Sequence, residues 1–150
     1  EIDILKLYVE LESIRFKDSF NYEINYDDVE IEEVKVPTLL IQPFVENAIW
    51  HGLMHKEGTR NLKVEFTEYN EFIKCIIEDN GVGRNNAQEF KIKSGQDKKH
   101  ASKGIQVSEE RLRSMQYNGV PGSIKIHDLI DVFGKPSGTK VEINFPIKSS

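Results

Sequence analysis

Between Leu62 and Asp79 apolar and polar residues alternate in two successive runs. Leu62, Val64 and Phe66 share one parity of the first run, and Ile73, Cys75 and Ile77 share one parity of the second. Tyr69-Asn70-Glu71 separates them. A period of two places alternate side chains on one face, so the pattern predicts a β-hairpin with one buried side. Asp79 continues the parity of Ile73, Cys75 and Ile77, which points its carboxylate toward the core. A buried carboxylate needs a hydrogen-bonding partner. Either it caps the following turn, a common role for Asp before Asn-Gly, or it serves a ligand.

The flanking sequence extends this frame. Ile4, Leu5, Tyr8 and Leu11 predict an amphipathic helix over 2–16, followed by a strand near Phe20–Tyr26. Asp27 to Glu33 reads as an acidic surface turn. Val36-Pro37 opens a second helical stretch to Trp50, with Gly52 as its stop. Pro43 lies inside it, so the helix either starts near Gln42 or kinks there. Beyond Asp79 the chain predicts a short polar helix near Arg84–Lys91 and a helix from Ile105 to Gln116. A turn at Tyr117–Gly122 then leads to strands at Ser123–Asp128 and Thr139–Pro146, joined by a turn at Lys135–Gly138. Val141, Ile143 and Phe145 share the inward parity of the last strand. Helices grouped with mainly antiparallel hairpins indicate an α+β two-layer sandwich.

At 150 residues the chain suits one domain. No stretch approaches the ~18 consecutive apolar residues of a membrane span. It opens Glu1-Ile2-Asp3, with neither a Met nor a leader pattern, the expectation for part of a longer protein. Cys75 is the only cysteine, which excludes an intrachain disulfide and an all-Cys metal site. A net charge of −5 argues against nucleic-acid binding. Against that background, residues 91–103 hold five lysines (Lys91, Lys93, Lys98, Lys99, Lys103) and one acid, Asp97. This window is either a solvated loop or a wall for an anionic ligand.

Three short segments carry candidate chemistry. Asn47 and His51 stand four apart and share a helical face. Asp79-x-Gly81-x-Gly83 would let the backbone turn sharply after a strand and approach a ligand. Ser102-Lys103-Gly104 stands before the helix predicted from Ile105, where free amides and the helix dipole suit a phosphate, or where Ser102 simply caps the helix.

In this order the segments resemble the ATP-binding domain of sensor histidine kinases, a fold shared with gyrase and MutL ATPases (the GHKL or Bergerat fold). Within that group the chain looks like the LytS/YehU type. Gln42 to Gly52 matches its QP-x-x-ENA-x-x-HG box, and Asp79–Gly83 matches the first glycine box. Ser102–Leu112 matches the second glycine box, and Gly138-Thr139 opens the closing strand. Tyr8–Phe16 resembles the helix that precedes the domain. The resemblance implies a mixed, mainly antiparallel sheet covered on one face by helices. It implies residues 1–18 as a helix leading from an upstream dimerisation and phosphoacceptor region, and 19–150 as the ATP-binding domain.

The resemblance also implies roles. Asn47 would bind Mg²⁺, a hard ion that needs few protein ligands. Asp79 would accept from the adenine amino group, with Thr139 in support, and Gly81 and Gly83 would let the loop approach the base. His51 would lie against the nucleotide. Gly104 would give amides to the phosphates, and Lys103, with Lys98 and Lys99, would offset their charge. Glu46 is about 100° around the helix from Asn47 and is not assigned to the metal.

Two positions depart from the family pattern: Ser102 replaces a Gly, and Val107 replaces an Asn. Both weaken the phosphate cradle. Pro43 stands where water-activating relatives carry an acid, which favours transfer to a protein side chain over hydrolysis. None of His51, His55, His100 and His127 has the acceptor context, so no catalytic residue is expected in this chain and the acceptor histidine is expected upstream.

The implied function is an ATP·Mg²⁺-binding histidine-kinase catalytic domain, unable to autophosphorylate alone. Its implied partners are the upstream domain and a response regulator, in a homodimeric, membrane-anchored sensor with this domain in the cytosol. The alternatives are a degenerate module signalling by protein contact and an anti-sigma-type serine kinase.

Overall fold

Strands β2 (Asn61–Tyr69) and β3 (Phe72–Asp79) form the predicted hairpin, with Leu62 opposite Asp79 and Phe66 opposite Cys75. The structure is a computed structural model that describes residues 2–17, 20–26, 38–69, 72–83, 98–114, 116–117 and 120–146. β1 (Asn21–Asn25) adds to β2 in parallel, and β7 (Pro136–Pro146) adds to β3 antiparallel. β6 (Ser123–Ile130) closes the sheet in the order β1-β2-β3-β7-β6. β4 (Gln116–Tyr117) and β5 (Val120–Pro121) make a small separate ladder where the sequence predicts only a turn.

The alternation is realised as one dry face. Val64, Phe66, Ile73, Ile77, Ile143 and Phe145 are buried against helix α2 (Thr38–Asn47), which contributes Ile41, Phe44 and Val45. Each such side chain contributes roughly 1.5–3 kcal/mol on burial. Helix α1 (Ile2–Arg15) seats Leu5 and Val9 in the same core, and helix α3 (Lys98–Ser114) seats Leu112. The opposite parity of the sheet carries charge: Lys63–Glu65 at 3.3 Å, Lys74–Glu142 at 3.2 Å and His127–Glu142 at 3.4 Å. Helices on one face of a mixed, mainly antiparallel sheet are the two-layer α+β sandwich that the sequence predicts.

α1 has two apolar stripes. Leu5 and Val9 face the core, whereas Ile4, Leu7, Leu11 and Ile14 remain 56–62% exposed. Lys17, at φ 55°, ends the helix in a left-handed turn. There Phe16 meets the Trp50 ring edge-on at 4.8 Å, and the Arg15 guanidinium lies 4.8 Å from the same ring.

α2 starts at Thr38, so of the two alternatives for this stretch the helix does not begin near Gln42 and Pro43 is interior. Three expectations are corrected. Gly52 is not a stop: the chain passes through a π-helical turn (Ala48–Gly52) into a 3₁₀ turn (Leu53–His55). Gly52 has φ −94°, not the left-handed conformation of a glycine C-cap. The last hairpin turns at Asp131–Gly134, not at Lys135–Gly138. The Asp131 carboxylate accepts from Phe133 N at 2.8 Å and Lys135 N at 3.0 Å, and Gly134 takes φ +77°. Pro136–Gly138 therefore belongs to β7. Finally, α3 begins at Lys98, about two turns before the predicted Ile105. The turn expected at 27–33 and the helix expected at 84–91 lie outside the described residues, as do Lys91 and Lys93. Among the described residues no helix is long and apolar enough to cross a membrane.

Candidate functional site

Asp79 is the last residue of β3 and is buried, 4% exposed, as its parity predicts. Its Oδ1 accepts the Gly81 N–H at 2.9 Å, so the turn-capping role is real. The Thr139 N–H, opposite Asp79 on β7, also donates to the carboxylate. Burial pushes its pKa up to about 6. The two N–H donors and Lys56 pull the other way, and Glu78 adds to the rise.

The corner around Asp79 is made of backbone. A methyl group on Gly52 would lie 2.7 Å from Asp79 Oδ1. One on Gly81 would overlap the Gly52 main chain, and one on Gly138 would overlap the Asp79 carbonyl oxygen. Val82 N donates to Gly52 O at 3.2 Å and ties the glycine loop to the π-helical turn. Gly83 takes φ +85°, where L side chains are strained. Asn80 locks the loop from the other side: its Oδ1 accepts Asn61 N at 2.7 Å and its Nδ2 donates to Thr59 O at 3.0 Å.

The predicted residues divide into three groups. Asp79, Gly81 and Thr139 converge on this corner. Asn47 ends α2 and His51 sits in the following π-helical turn, which packs against β3 and β7; both are half-buried. Wide π turns are recurrent at functional sites. Glu46 is exposed. Lys103 and Gly104 are placed otherwise than expected. They lie inside α3, so the Gly104 N–H is not among the free amides of a helix start. α3 has Lys98 and Lys99 at its first positions and no acid in its first turn. Two contributors were not singled out as site residues: Gly52, read as a helix stop, and Gly138, read as a turn glycine. Their identity as glycine was the available signal.

The donor set suits a ligand more than a structural metal. Among the described residues no cluster of three or more His, Cys, Asp or Glu could hold a metal ion. Asn47 offers one neutral oxygen, which fits an ion that takes most of its shell from phosphates and water.

A scan against protein-family models found no match. The chain is 31% identical over 83 residues to the sensor protein LytS of Oceanobacillus iheyensis. It is 34% identical over 84 residues to the sensor histidine kinase/phosphatase LytS of Staphylococcus aureus. Each match covers 55% of this chain and 14% of the relative, so the chain spans a small part of the curated relatives it matches. Among solved structures it superposes on the mycobacterial sensor histidine kinase MprB with a TM-score of 0.62 at 10% identity, covering 99% of this chain and 95% of that one. It also superposes on the histidine kinase domain of the Erythrobacter litoralis EL346 blue-light activated kinase, with a TM-score of 0.57 at 14% identity, covering 86% and 55%. Over about half its length the chain is similar in sequence to LytS-type sensor histidine kinases, and its fold is similar to that of solved histidine kinase domains.

Proposed function

We propose that this chain is the ATP·Mg²⁺-binding catalytic domain of a LytS-type sensor histidine kinase. One observation carries the reading: a buried carboxylate at a strand end, held by two backbone N–H groups inside a shell of glycines. Near neutral pH such a carboxylate is acceptor-only, which suits an exocyclic amino group of a purine. Asp79 would take that group, Thr139 would support the contact, and Gly81 and Gly83 would admit the base edge. His51 would line the nucleotide. Asn47 would present its oxygen to Mg²⁺, which when bound neutralises phosphate charge.

Lys98 and Lys99 stand at the positive end of the α3 dipole, where added positive charge is unfavourable without an anion. That end is where the triphosphate would lie, with Lys103 nearby in sequence. Pro43 occupies the position one helical turn before Asn47 and can activate no water. The domain would therefore orient the γ-phosphoryl for in-line attack by a histidine. That acceptor would belong to the upstream region of a membrane-anchored sensor, with a response regulator next in line. The exposed stripe Ile4, Leu7, Leu11, Ile14 follows the 3-4-3 spacing of a helix-pairing seam and supports a homodimer.

Titration with a fluorescent ATP analogue, with and without Mg²⁺, tests the reading. Saturable Mg²⁺-dependent binding is expected, and Asp79→Asn should weaken it about tenfold or more, the cost of a charge-assisted hydrogen bond. Folded protein that shows no binding at millimolar nucleotide sinks the proposal. That result would favour a second reading, a module that signals by protein contact. The engaged Gly104 amide, with Ser102 and Val107, speaks for it.

A further inference from the structure

We infer that Gly52 is the positioning residue for the Asp79 carboxylate, and that the π-helical turn brings its bare Cα there. The inference rests on the reading of Asp79 as the group that binds the purine amino group. Three contacts carry it. The absent Gly52 side chain would lie 2.7 Å from Asp79 Oδ1 and 3.1 Å from its Cγ. Gly52 O accepts the Val82 N–H, and Gly81 packs directly on the Gly52 main chain. Gly52 is therefore a wall of the carboxylate's seat and an anchor of the loop whose Gly81 N–H fixes Oδ1.

The reason for glycine at this position is space. Its φ of −94° and ψ of −69° are helical-side values open to any residue. Alanine is also the better helix former. The backbone angles do not oppose a side chain here; the nearest atoms it would meet are those of the carboxylate. The wide turn supports the same conclusion: Leu53 N–H reaches both Ala48 O and Ile49 O, the widened ladder of a π turn.

The atom in the way is the end of a side chain, so Asp79 can yield by rotating. Gly52→Ala should then spare the fold and misplace the carboxylate. Three readouts separate this from a merely structural role. The Gly81 amide, observed by NMR in the full chain, should shift upfield and lose exchange protection. Affinity for ATP should fall about tenfold, whereas affinity for purine riboside triphosphate, which lacks the 6-amino group, should change less than about twofold. Adding Gly52→Ala to Asp79→Asn should cost nothing more. Equal losses for both nucleotides, an unmoved Gly81 amide, or additive losses in the double variant would overturn the inference. If the wild type binds neither nucleotide, the proposed function fails, and the Gly81 amide still decides the positioning role.

Discussion

Among the described residues two aspartates stand at strand ends, and each turns a carboxylate back to a backbone N–H two residues on. Asp79 ends β3 and accepts from Gly81 N at 2.9 Å; Asp131 follows β6 and accepts from Phe133 N at 2.8 Å. Each is followed by a glycine at positive φ, Gly83 and Gly134. At the Asp131 turn the resemblance ends in solvent: Val132 and Phe133 are 94% and 83% exposed, and nothing lies within 4 Å of where a Gly134 side chain would sit. At Asp79 the π-helical turn and β7 close over the same motif with Gly52 and Gly138. One local device thus gives an ordinary turn in one place and a desolvated acceptor in the other. What other segments bring to the turn makes the difference.

The comparison can be broken at the glycines. Gly138→Ala puts a methyl group onto the Asp79 carbonyl at φ +138° and should cost about 3 kcal/mol or more. Gly134→Ala, at φ +77° in open space, should cost about 1 kcal/mol. Urea denaturation reads both, and equal costs would show that closure over Asp79 is loose.

A second contrast is in pH. The pKa of folded Asp79, about 6, exceeds its ordinary 3.8, so between those values the folded state holds more protons than the unfolded state. Stability should therefore fall as pH rises through that window, on the order of 2–3 kcal/mol in all. Asp79→Asn should flatten the slope. Denaturation midpoints at several pH values measure it, and an unchanged slope in the variant would place the titration elsewhere.

The smallest effect belongs to the exposed tip. Val132→Ser and Phe133→Ser remove apolar groups that touch water already, and each should change stability by less than about 0.5 kcal/mol. A larger loss by thermal melting would show that the tip is packed.

Much of this was legible in the residues because it is local. The parity of Leu62 to Asp79 sets both hairpin faces, and the buried carboxylate follows from counting by two. Other elements were misread for equally local reasons. Gly52 and Gly138 carry strong turn signals, yet Gly52 joins two consecutive helical turns and Gly138 lies inside β7. Gly104 stands just before the helix predicted from Ile105, but α3 begins at Lys98 and runs through it, at the roughly 1 kcal/mol that a glycine costs inside a helix.

By itself the sequence determined the sheet and its dry face, the side chains on it and the identity of the acceptor, since strand period and residue chemistry act between neighbours. Only the tertiary structure decided which segments close over the buried Asp79 and leave Asp131 a surface turn. That outcome depends on Gly52, distant in sequence, leaving room for the carboxylate, and on Gly81 and Gly138 letting backbones approach more closely than any side chain permits.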